Sequence, residues 1–317
     1  MPQAQGSSTE LAMGIESSFG VTGATAKIYP YIPTFTLNET QNLVDSNVIR
    51  NTRDMAEPTG GFINATSSFS VPFDSDLAPV WLYLAMGSVT TVDDLDTTYT
   101  HTIKKHDTTL PSIFIDKRHT DITKFHLGNG FRVNGFNVDF SGEGEAQLDI
   151  DLVGKSVIPD TAEAVTPTTA VEGNYFGKFQ GDVTGLGCVT AFTMAYTNNL
   201  QTDSRCISST AGGRISDIPL GLIGISGSFT IQFTDTSTTE ADARALTTVS
   251  LTTSLTNGTD IITFEIEEAK LTATDNGSVD SPQGLSQTYD YTAFWKAGSN
   301  NSALAIVVEN SVATVSP

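Results

Sequence analysis

The sequence is short of basic residues, cysteine and long apolar runs. Its 317 residues include 16 Lys and Arg against 36 Asp and Glu, which gives a formal net charge of −20 at pH 7. Nucleic-acid binding depends on clusters of Lys and Arg that contact phosphates, and the chain has none, which argues against this class of function. The two cysteines, Cys188 and Cys206, lack a CxxC arrangement and are predicted to be unpaired thiols.

Signals for membrane insertion and secretion are also missing. No window approaches the ~18 consecutive apolar residues of a membrane-spanning helix. The N-terminal stretch MPQAQGSSTELAMGIESSFG has no basic region followed by an apolar one, which a secretory signal requires. We therefore expect no membrane segment and synthesis in a cytoplasm.

Residues that carry catalysis or bind cofactors are equally scarce. The four histidines, His101, His106, His119 and His126, show neither helical i, i+4 pairing nor a neighbouring cysteine, as a zinc site would require. The sequence contains no GxSxG, HExxH or phosphate-loop motif. We predict no catalytic, cofactor-binding or metal-binding residues, and a protein that is not an enzyme.

What the chain does contain is a repeated strand pattern. The stretch GFINATSSFSVPF at 61–73 alternates apolar and polar residues, the period of a strand with one buried and one wet face. GLIGISGSFTIQF at 221–233 repeats the pattern in the same register. The predicted buried side comprises Ile63, Ala65, Phe69, Val71 and Phe73 in the first stretch, and Ile223, Ile225, Phe229, Ile231 and Phe233 in the second.

Neighbouring segments repeat in the same order. FTLNETQNL, which starts at Phe35, matches FTMAYTNNL, which starts at Phe192, and QLDIDLVGK matches TYDYTAFWK so that Asp149 aligns with Asp290. The three offsets are 157, 160 and 141 residues. A capped helix is predicted after each copy of the repeated strand. The first, within 74–88, has an Asp or Ser N-cap and Gly87 as its stop, and the second, within 236–249, has a Thr cap ahead of Glu240. Convergent strand composition is the alternative explanation of these matches, but the order that both copies share favours tandem duplication.

The predicted fold class is therefore mainly β. We expect two tandem β-sandwich or barrel modules, each with one short α-helix, joined by a Pro- and Thr-rich linker. The predicted divisions are an N-terminal arm at 1–27, module 1 at 28–158, the linker at 159–174, module 2 at 175–310 and a C-terminal tail at 311–317.

The order of these motifs resembles a known family. GFINATSSFSVPFDSDLAPVWLYLAMGSVTT is followed by YTHTI, LPSIFIDK and FRVNGFNVDFSGEGEAQLDIDLVGKS, and then by a weaker copy that includes GGRISDIPLGLIGISGSFTIQF. This order is similar to that of the tail tube proteins of long-tailed, siphovirus-like bacteriophages, in the larger group that carries two tube modules per chain. The resemblance covers nearly the whole sequence.

The resemblance implies a non-enzymatic structural protein of the virion tail, present in the host cytoplasm during assembly. Proteins of this family close strands from several subunits into one barrel, stack the rings into a tube and let DNA pass without specific binding. The implied partners are further copies of the chain and the tail terminator, distal tail and tape-measure proteins. The family's sixfold symmetry implies three two-module chains per ring. Another tail or baseplate component is the alternative, followed by a secreted β-sandwich adhesin or carbohydrate-binding module.

Two groups of candidate site residues follow. Polar residues on the solvent-facing side of the strands are predicted to line the channel. Long polar loops at 43–60 and 200–220 are predicted to make contacts between subunits. The loop candidates are Arg50, Arg53, Arg205 and Arg214. The channel candidates are Asn64, Thr66, Ser68, Ser70, Gln147, Asp149, Asp151, Ser226, Ser228, Thr230, Gln232, Thr288, Asp290 and Thr292.

Overall fold

A computed structural model describes most of the chain. The described residues are 3–29, 34–46, 51–94, 98–140, 146–169, 173, 175–176, 183, 186, 188–206, 212–233, 238–275, 284–296 and 302–315. For residues 273–275 the backbone alone is described.

Strands dominate the described fold, so the mainly-β prediction is confirmed. The two α-helices are α1 (Ala78–Met86) and α2 (Thr239–Ala245). The strands of the first part of the chain are β1 (Thr9–Ile15), β2 (Lys27–Ile28), β3 (Thr34–Val44), β4 (Thr59–Pro72), β5 (Gly87–Asp93), β6 (Tyr99–Lys105), β7 (Ile113–His119), β8 (Lys124–Asp139), β9 (Gln147–Gly154), β10 (Ser156–Asp160) and β11 (Thr168–Thr169). Those of the second part are β12 (Val189–Thr197), β13 (Gly224–Gln232), β14 (Thr248–Asn257), β15 (Asp260–Asp275), β16 (Ser286–Ala293) and β17 (Ala305–Asn310).

Eight strands form one continuous antiparallel sheet. Their order is β3, β4, β9, β8, β12, β13, β16 and β15. The first four belong to what we call the first half of the chain, before residue 159, and the last four to the second half, after residue 174. The joint between the halves is the pairing of β8 with β12, in which Gly135 lies opposite Thr197 and Asp139 opposite Thr193.

The two longest strands of this sheet also take part in further pairings. β8 and β15 each contain 16 residues, and only their C-terminal parts pair within the eight-stranded sheet. The N-terminal part of β8 pairs with β7 and β10, and that of β15 pairs with β14 and β17. The β1 and β2 strands extend the group around β7, and the β5–β6 hairpin joins the group around β17.

The same pairings occur in both halves. Phe35 lies opposite Phe69 in the β3–β4 pair, and Phe192 lies opposite Phe229 in the β12–β13 pair. These are the residues that the sequence offsets of 157 and 160 align. The β4–β9–β8 arrangement of the first half likewise corresponds to β13–β16–β15 of the second.

The third sequence match needs a correction of two residues. Asp151 lies opposite Ser68, and Asp290 lies opposite Ser228, which occupies the position equivalent to Ser68. Asp290 therefore corresponds to Asp151 and not to Asp149. The alternating pattern allowed either alignment, and because the shift is two residues the side chains stay on the same face.

Each half has its helix directly after the repeated strand. α1 ends at Gly87, whose φ of 89° is left-handed, as the predicted stop requires. Its N-terminus differs from the prediction, because the N-cap is Leu77, which makes no side-chain cap. The Asp74 carboxylate instead accepts hydrogen bonds from the backbone N–H groups of Asp76 at 2.8 Å and Leu77 at 2.9 Å. α2 ends at Leu246, which also has positive φ.

One apolar core extends across both halves. Phe73 and Phe264 approach edge to face with ring centroids 6.1 Å apart, and Phe140 and Phe192 stack at the same distance. Phe233 was predicted to be buried like its counterpart Phe73, but 49% of its surface is exposed, whereas Phe73 is fully buried. The reason is that Phe73 contacts the rings of Phe140 and Phe264, whereas no ring contact covers Phe233 in the described part of the chain.

The segments predicted as an arm and a linker are packed on the first half. In the segment 1–27, β1 pairs along its whole length with β7 and buries Met13 completely. In the segment 159–174, β11 pairs with β2, and Glu163 forms an ion pair of 2.5 Å with Arg118 of β7.

Candidate functional site: a polar face with two open edges

The polar side of the eight-stranded sheet continues from one edge to the other. Residues directly opposite each other in antiparallel strands point to the same face, so rows of side chains can be followed across the sheet. One row takes one residue from every strand: Thr34, Ser70, Asp149, Asn137, Ala195, Ser226, Thr292 and Lys270. The next row comprises Gln147, Asp139, Thr193, Ser228, Asp290 and Thr272.

The fourteen residues predicted to line a channel all lie on this face. The pairing registers of β4, β9, β13 and β16 place them there, and each is exposed or half-buried. They are Asn64, Thr66, Ser68, Ser70, Gln147, Asp149, Asp151, Ser226, Ser228, Thr230, Gln232, Thr288, Asp290 and Thr292.

Many of the hydroxyl groups on this face bind one another across strands. Such pairs fill donor and acceptor sites that would otherwise be open to a molecule in contact with the face. The pairs are Thr36 with Ser68, Thr193 with Ser228 and Thr230 with Thr288, each at 2.9 Å, and Ser70 with Gln147 at 3.1 Å.

The charge of the polar face is predominantly negative. Its basic residue in the two rows, Lys270, lies at the β15 edge, where its ammonium group donates to the Leu246 carbonyl and to the Thr248 hydroxyl at 2.8 Å. The Lys270 charge is thus directed toward the α2–β14 connection. The carboxylates on the face are Asp139, Asp149, Asp151 and Asp290.

Sequence reasoning missed the part of this face that crosses the joint. Asn137 and Asp139 of β8 and Thr193 of β12 complete the rows between the two halves. The same alternation is present in FRVNGFNVDF, where Asn137 and Asp139 separate buried Phe136, Val138 and Phe140. What the sequence did not show is that β8 and β12 are neighbours.

The sheet has two open edges. Within the described residues, β3 pairs with β4 alone. At the opposite edge, β15 pairs with β16 over Ala269–Asp275, and β14, on the other side of β15, reaches no further than Lys270. Among the described strands, Leu271–Asp275 therefore pair with β16 alone. Unpaired backbone N–H and C=O groups at such edges are able to pair with another strand.

The side chain of Asn198 forms hydrogen bonds at the joint between the halves. It is 4% exposed, and its amide donates to the carbonyls of Ala85 at 2.8 Å and Val133 at 2.9 Å. Its side-chain oxygen accepts a hydrogen bond from the Tyr196 hydroxyl at 3.2 Å. The last carbonyls of a helix have no partner within the helix, so Asn198 satisfies one of those of α1 from the second half.

We call the loop at 200–220 the crossing segment, and its described parts, 200–206 and 212–220, run back over the strand ends of the first half. At β8, Arg132 donates to the Asp217 carboxylate at 3.2 Å and to the Ile218 carbonyl at 2.5 Å. At β4, the Ile63 N–H donates to the Gly213 carbonyl at 3.1 Å. The crossing segment therefore forms contacts within one chain as well as being a candidate for contacts between chains.

The four loop arginines have different surroundings. Arg214 forms an ion pair of 2.9 Å with Glu39 of β3. Arg205 lies over the Phe62 ring, 4.8 Å from its centroid, and donates to the Ile63 carbonyl at 3.2 Å. Arg53 is exposed, and Arg50 lies outside the described residues.

The described residues contain no group of three or more His, Cys, Asp or Glu arranged to hold a metal ion. His101 is fully buried, where it binds the Thr91 hydroxyl at 2.9 Å and the Val312 carbonyl at 2.8 Å. Cys188 and Cys206 are free and exposed. In the part of the chain that the structure describes, no helix has the length and apolar character needed to cross a bilayer.

A mainly-β chain with a polar sheet face and two open edges has the properties of a subunit that assembles with others through its sheet. The sequence matches the family model described as phage tail tube protein over residues 6–293. No curated protein matches the sequence significantly. Because the family match covers nearly the whole chain, the protein belongs to the phage tail tube family, and it is a structural protein of the virion tail.

Proposed function

We propose that the protein assembles into closed rings whose inner wall is the polar face of the eight-stranded sheet, and that stacked rings form the tube through which DNA leaves the phage. The observation that supports this proposal is the register of the sheet. It brings all fourteen channel candidates to one face, and in the described part of the chain both edges of that face are unpaired.

The halves of the chain are proposed to be two copies of one module, 28–158 and 175–310. A ring that needs six modules then needs three chains, which gives threefold symmetry with a pseudo-sixfold arrangement of modules. Eight strands from each of three chains would form a barrel of about 24 strands, and six chains would give a far wider one. Electron microscopy of assembled tubes tests the number, and a ring of six chains would contradict it.

The chemistry of the polar face suits the passage of a polyanion. Phosphates are repelled by the carboxylates of Asp149, Asp151 and Asp290, and the paired hydroxyls offer few free donors. DNA would therefore slide along the wall without binding to it.

Charge reversal on the wall tests this role. The double variant Asp149→Lys with Asp151→Lys is expected to form tubes but to slow DNA ejection, because ammonium groups bind phosphates, and the delay should shrink at high salt. Asp93→Lys with Asp94→Lys is a matched control of equal charge change on another exposed strand end. If the two double variants slow ejection equally, the polar face is not the wall.

Stacking of rings is head-to-tail, which does not close and so propagates a filament. We propose that the loops at 43–60 and 200–220 and the chain ends contribute to the surfaces between rings. At its two ends the tube would meet the tail terminator and distal tail proteins, and the tape-measure protein would occupy the lumen before ejection. Compact monomers that bind a glycan, in place of rings or tubes, would contradict the whole proposal.

A further inference from the structure

Equivalent residues of the two halves differ in burial at the strand next to the joint. Leu43 of β3 and Leu200 after β12 are equivalent by the offset of 157, yet 70% of Leu43 is exposed against 8% of Leu200. Asn198 is likewise buried at the joint, while its equivalent Gln41 is exposed. Leu200 and Asn198 are buried because β8 of the first half pairs with β12, whereas in the described part of the chain no strand pairs with the other side of β3.

Among the residues that the structure describes, none fills a groove on the second half at the place equivalent to the one that the crossing segment covers on the first half. The crossing segment contacts Phe62 and Ile63, and the residues equivalent to these, Leu222 and Ile223, line a groove of 490 Å³ at the ends of β12, β13 and β16. Tyr196, Phe294 and Trp295 are also among the lining residues. Leu222 is 88% exposed and Trp295 is 55% exposed, so two large apolar side chains face solvent here.

We infer that the joint inside the chain is repeated between chains: β3 of a second copy pairs with the open edge of β15, with its Thr40 opposite Thr272. Its Leu43 is buried between the two copies, as Leu200 is within one, and the loop that follows covers the groove beside Leu222 and Trp295. This inference rests on the proposed assembly into rings, and it names the strands and the register that close them.

The register follows from equivalence. In the chain, Thr197 lies opposite Gly135, and Gly135 lies opposite Asp151. The equivalents of Thr197 and Asp151 are Thr40 and Asp290, and the residue opposite Asp290 is Thr272. Thr40 and Thr272 both point to the polar face, so the pairing continues that face from one copy to the next.

The chemistry of the incoming strand fits the groove. Exposed apolar side chains are concentrated at the end of β3 and in the loop that follows, where Leu43, Val44 and Met55 are 70%, 54% and 72% exposed. The loop after β3 is the equivalent of the crossing segment, which places Leu200 and Ile218 in an apolar cluster with Leu110. A second copy of this chain therefore supplies both the edge and the apolar side chains that this site lacks.

Cysteine cross-linking tests the register. In a Cys188→Ser, Cys206→Ser background, chains carrying Thr40→Cys are mixed with chains carrying Thr272→Cys, assembled and treated with a short thiol cross-linker. Opposed side chains in paired strands lie ~5 Å apart at Cβ, so covalent dimers are expected on a denaturing gel. Chains that carry both substitutions should give dimers and trimers.

The matched control is Thr34→Cys mixed with Thr272→Cys. Thr34 is exposed on the same strand and face, but six residues from Thr40 it lies ~20 Å away, so no cross-link is expected. Rings seen by electron microscopy without the Thr40–Thr272 cross-link, or with an equal Thr34–Thr272 cross-link, would overturn the inference while leaving ring assembly intact. Failure of the unsubstituted protein to form rings would overturn the proposed function itself.

Substitution of the equivalent leucines provides a second measurement. Leu43→Ser is expected to leave the melting temperature of the monomer unchanged and to raise the concentration needed for assembly about tenfold or more, because the leucine is buried only between chains. Leu200→Ser should lower the melting temperature of the monomer. Val92→Ser, at an apolar residue of β5 that is 54% exposed, is the control and should change neither quantity. Normal assembly of Leu43→Ser would contradict the burial of Leu43 between chains.

Discussion

Strands β3 and β12 occupy equivalent positions in the two halves, but β3 lies at an edge of the sheet and β12 lies in its middle. In β12, Tyr196 is buried and stacks on Phe136, with ring centroids 5.0 Å apart. Its equivalent in β3 is Glu39, which pairs with Arg214. The difference teaches that residues at equivalent positions of the two halves reflect the neighbour of their strand more than their place within the half.

A second comparison concerns one cross-strand pair. In the first half Ser67 lies opposite Leu152, and the serine hydroxyl donates to the Thr36 carbonyl at 2.7 Å. In the second half the equivalent pair is Gly227 and Tyr291, and the tyrosine hydroxyl donates to the equivalent carbonyl, that of Thr193, at 3.0 Å.

The two halves thus satisfy the same backbone carbonyl from opposite members of a pair. Glycine at 227 leaves the space that the tyrosine hydroxyl needs, because a Cβ there would lie 2.6 Å from the Tyr291 oxygen and 2.0 Å from the Thr193 carbonyl oxygen. A large side chain on one strand therefore goes with the absence of a side chain on the other.

The largest effect is expected from Gly227→Ser, which gives the second half the serine of the first. Both close contacts must be relieved by movement of backbone and of a buried ring, at a cost of about 3 kcal/mol or more in the free energy of unfolding. Urea unfolding measures it. Adding Tyr291→Leu should recover part of the loss, because it restores the pair found in the first half. If the two substitutions destabilise additively, the pair is not coupled as described.

The next prediction compares equivalent substitutions in the central strand and in the edge strand. Asn198→Leu leaves the carbonyls of Ala85 and Val133 without their partner and is expected to cost about 2–4 kcal/mol of unfolding free energy. Gln41→Leu is the same type of change at the equivalent, exposed position of β3, and should stay within about 0.5 kcal/mol. Thermal or urea unfolding of the two monomers gives the comparison. Equal losses would mean that the joint does not depend on Asn198.

A smaller effect compares the two ways of satisfying the equivalent carbonyls. Tyr291→Phe removes the hydroxyl that binds the Thr193 carbonyl, and Ser67→Ala removes the one that binds the Thr36 carbonyl. Each is expected to cost about 1 kcal/mol, since each deletes one hydrogen bond without opening a large cavity. A loss in one half and none in the other would show that water replaces one of the two hydroxyls.

The smallest effect is a dependence of stability on pH that arises from two carboxyls, one of which lies where the halves approach each other. Burial, with the charges of Asp74 and of Asp260 from the second half, raises the pKa of Asp76 to about 6, and burial raises the pKa of Asp116 to about 6. Because a raised carboxyl pKa means that the folded state binds protons more tightly, stability should increase as pH falls from about 7 to about 4.

Melting temperatures measured across this range test the pH effect. Asp76→Asn and Asp116→Asn each replace the carboxyl by an amide that does not ionise, so each should reduce the increase, and together they should remove most of it. A profile that is unchanged in the double variant would assign the pH dependence to other groups.

Much of the fold was predictable because it is encoded locally. The alternation in 61–73 and 221–233 predicts strands with one wet face, and β4 and β13 have that pattern of burial. Gly87 marks the end of α1 because a left-handed residue is needed there. The fourteen channel candidates share a face because the alternation along each strand decides which face a residue takes. A misalignment by two residues, as for Asp290, does not change that face.

The parts that could not be predicted depend on partners distant in sequence. The sequence around Phe233 does not show that this residue lacks the ring contacts of Phe73. The sequence around Asn198 does not show that its side chain contacts α1. The β8–β12 neighbourhood was also missed, because a long connection separates the two strands. Such contacts depend on which strands pair with each other. The alternation of apolar and polar residues along a strand does not show which strand it pairs with.

The joint between β8 and β12 has a consequence for the order of assembly. Because a single chain carries both strands, this joint forms by folding, at an effective concentration set by the connecting segment, and dilution does not break it. A joint between β15 and the β3 of another copy is bimolecular and depends on the amount of protein present. A ring of three chains would contain six similar joints, three within chains and three between chains. The three within chains would form before any two chains associate. Fusion of two modules would then halve the number of encounters needed to close a ring and leave the concentration dependence to the other half.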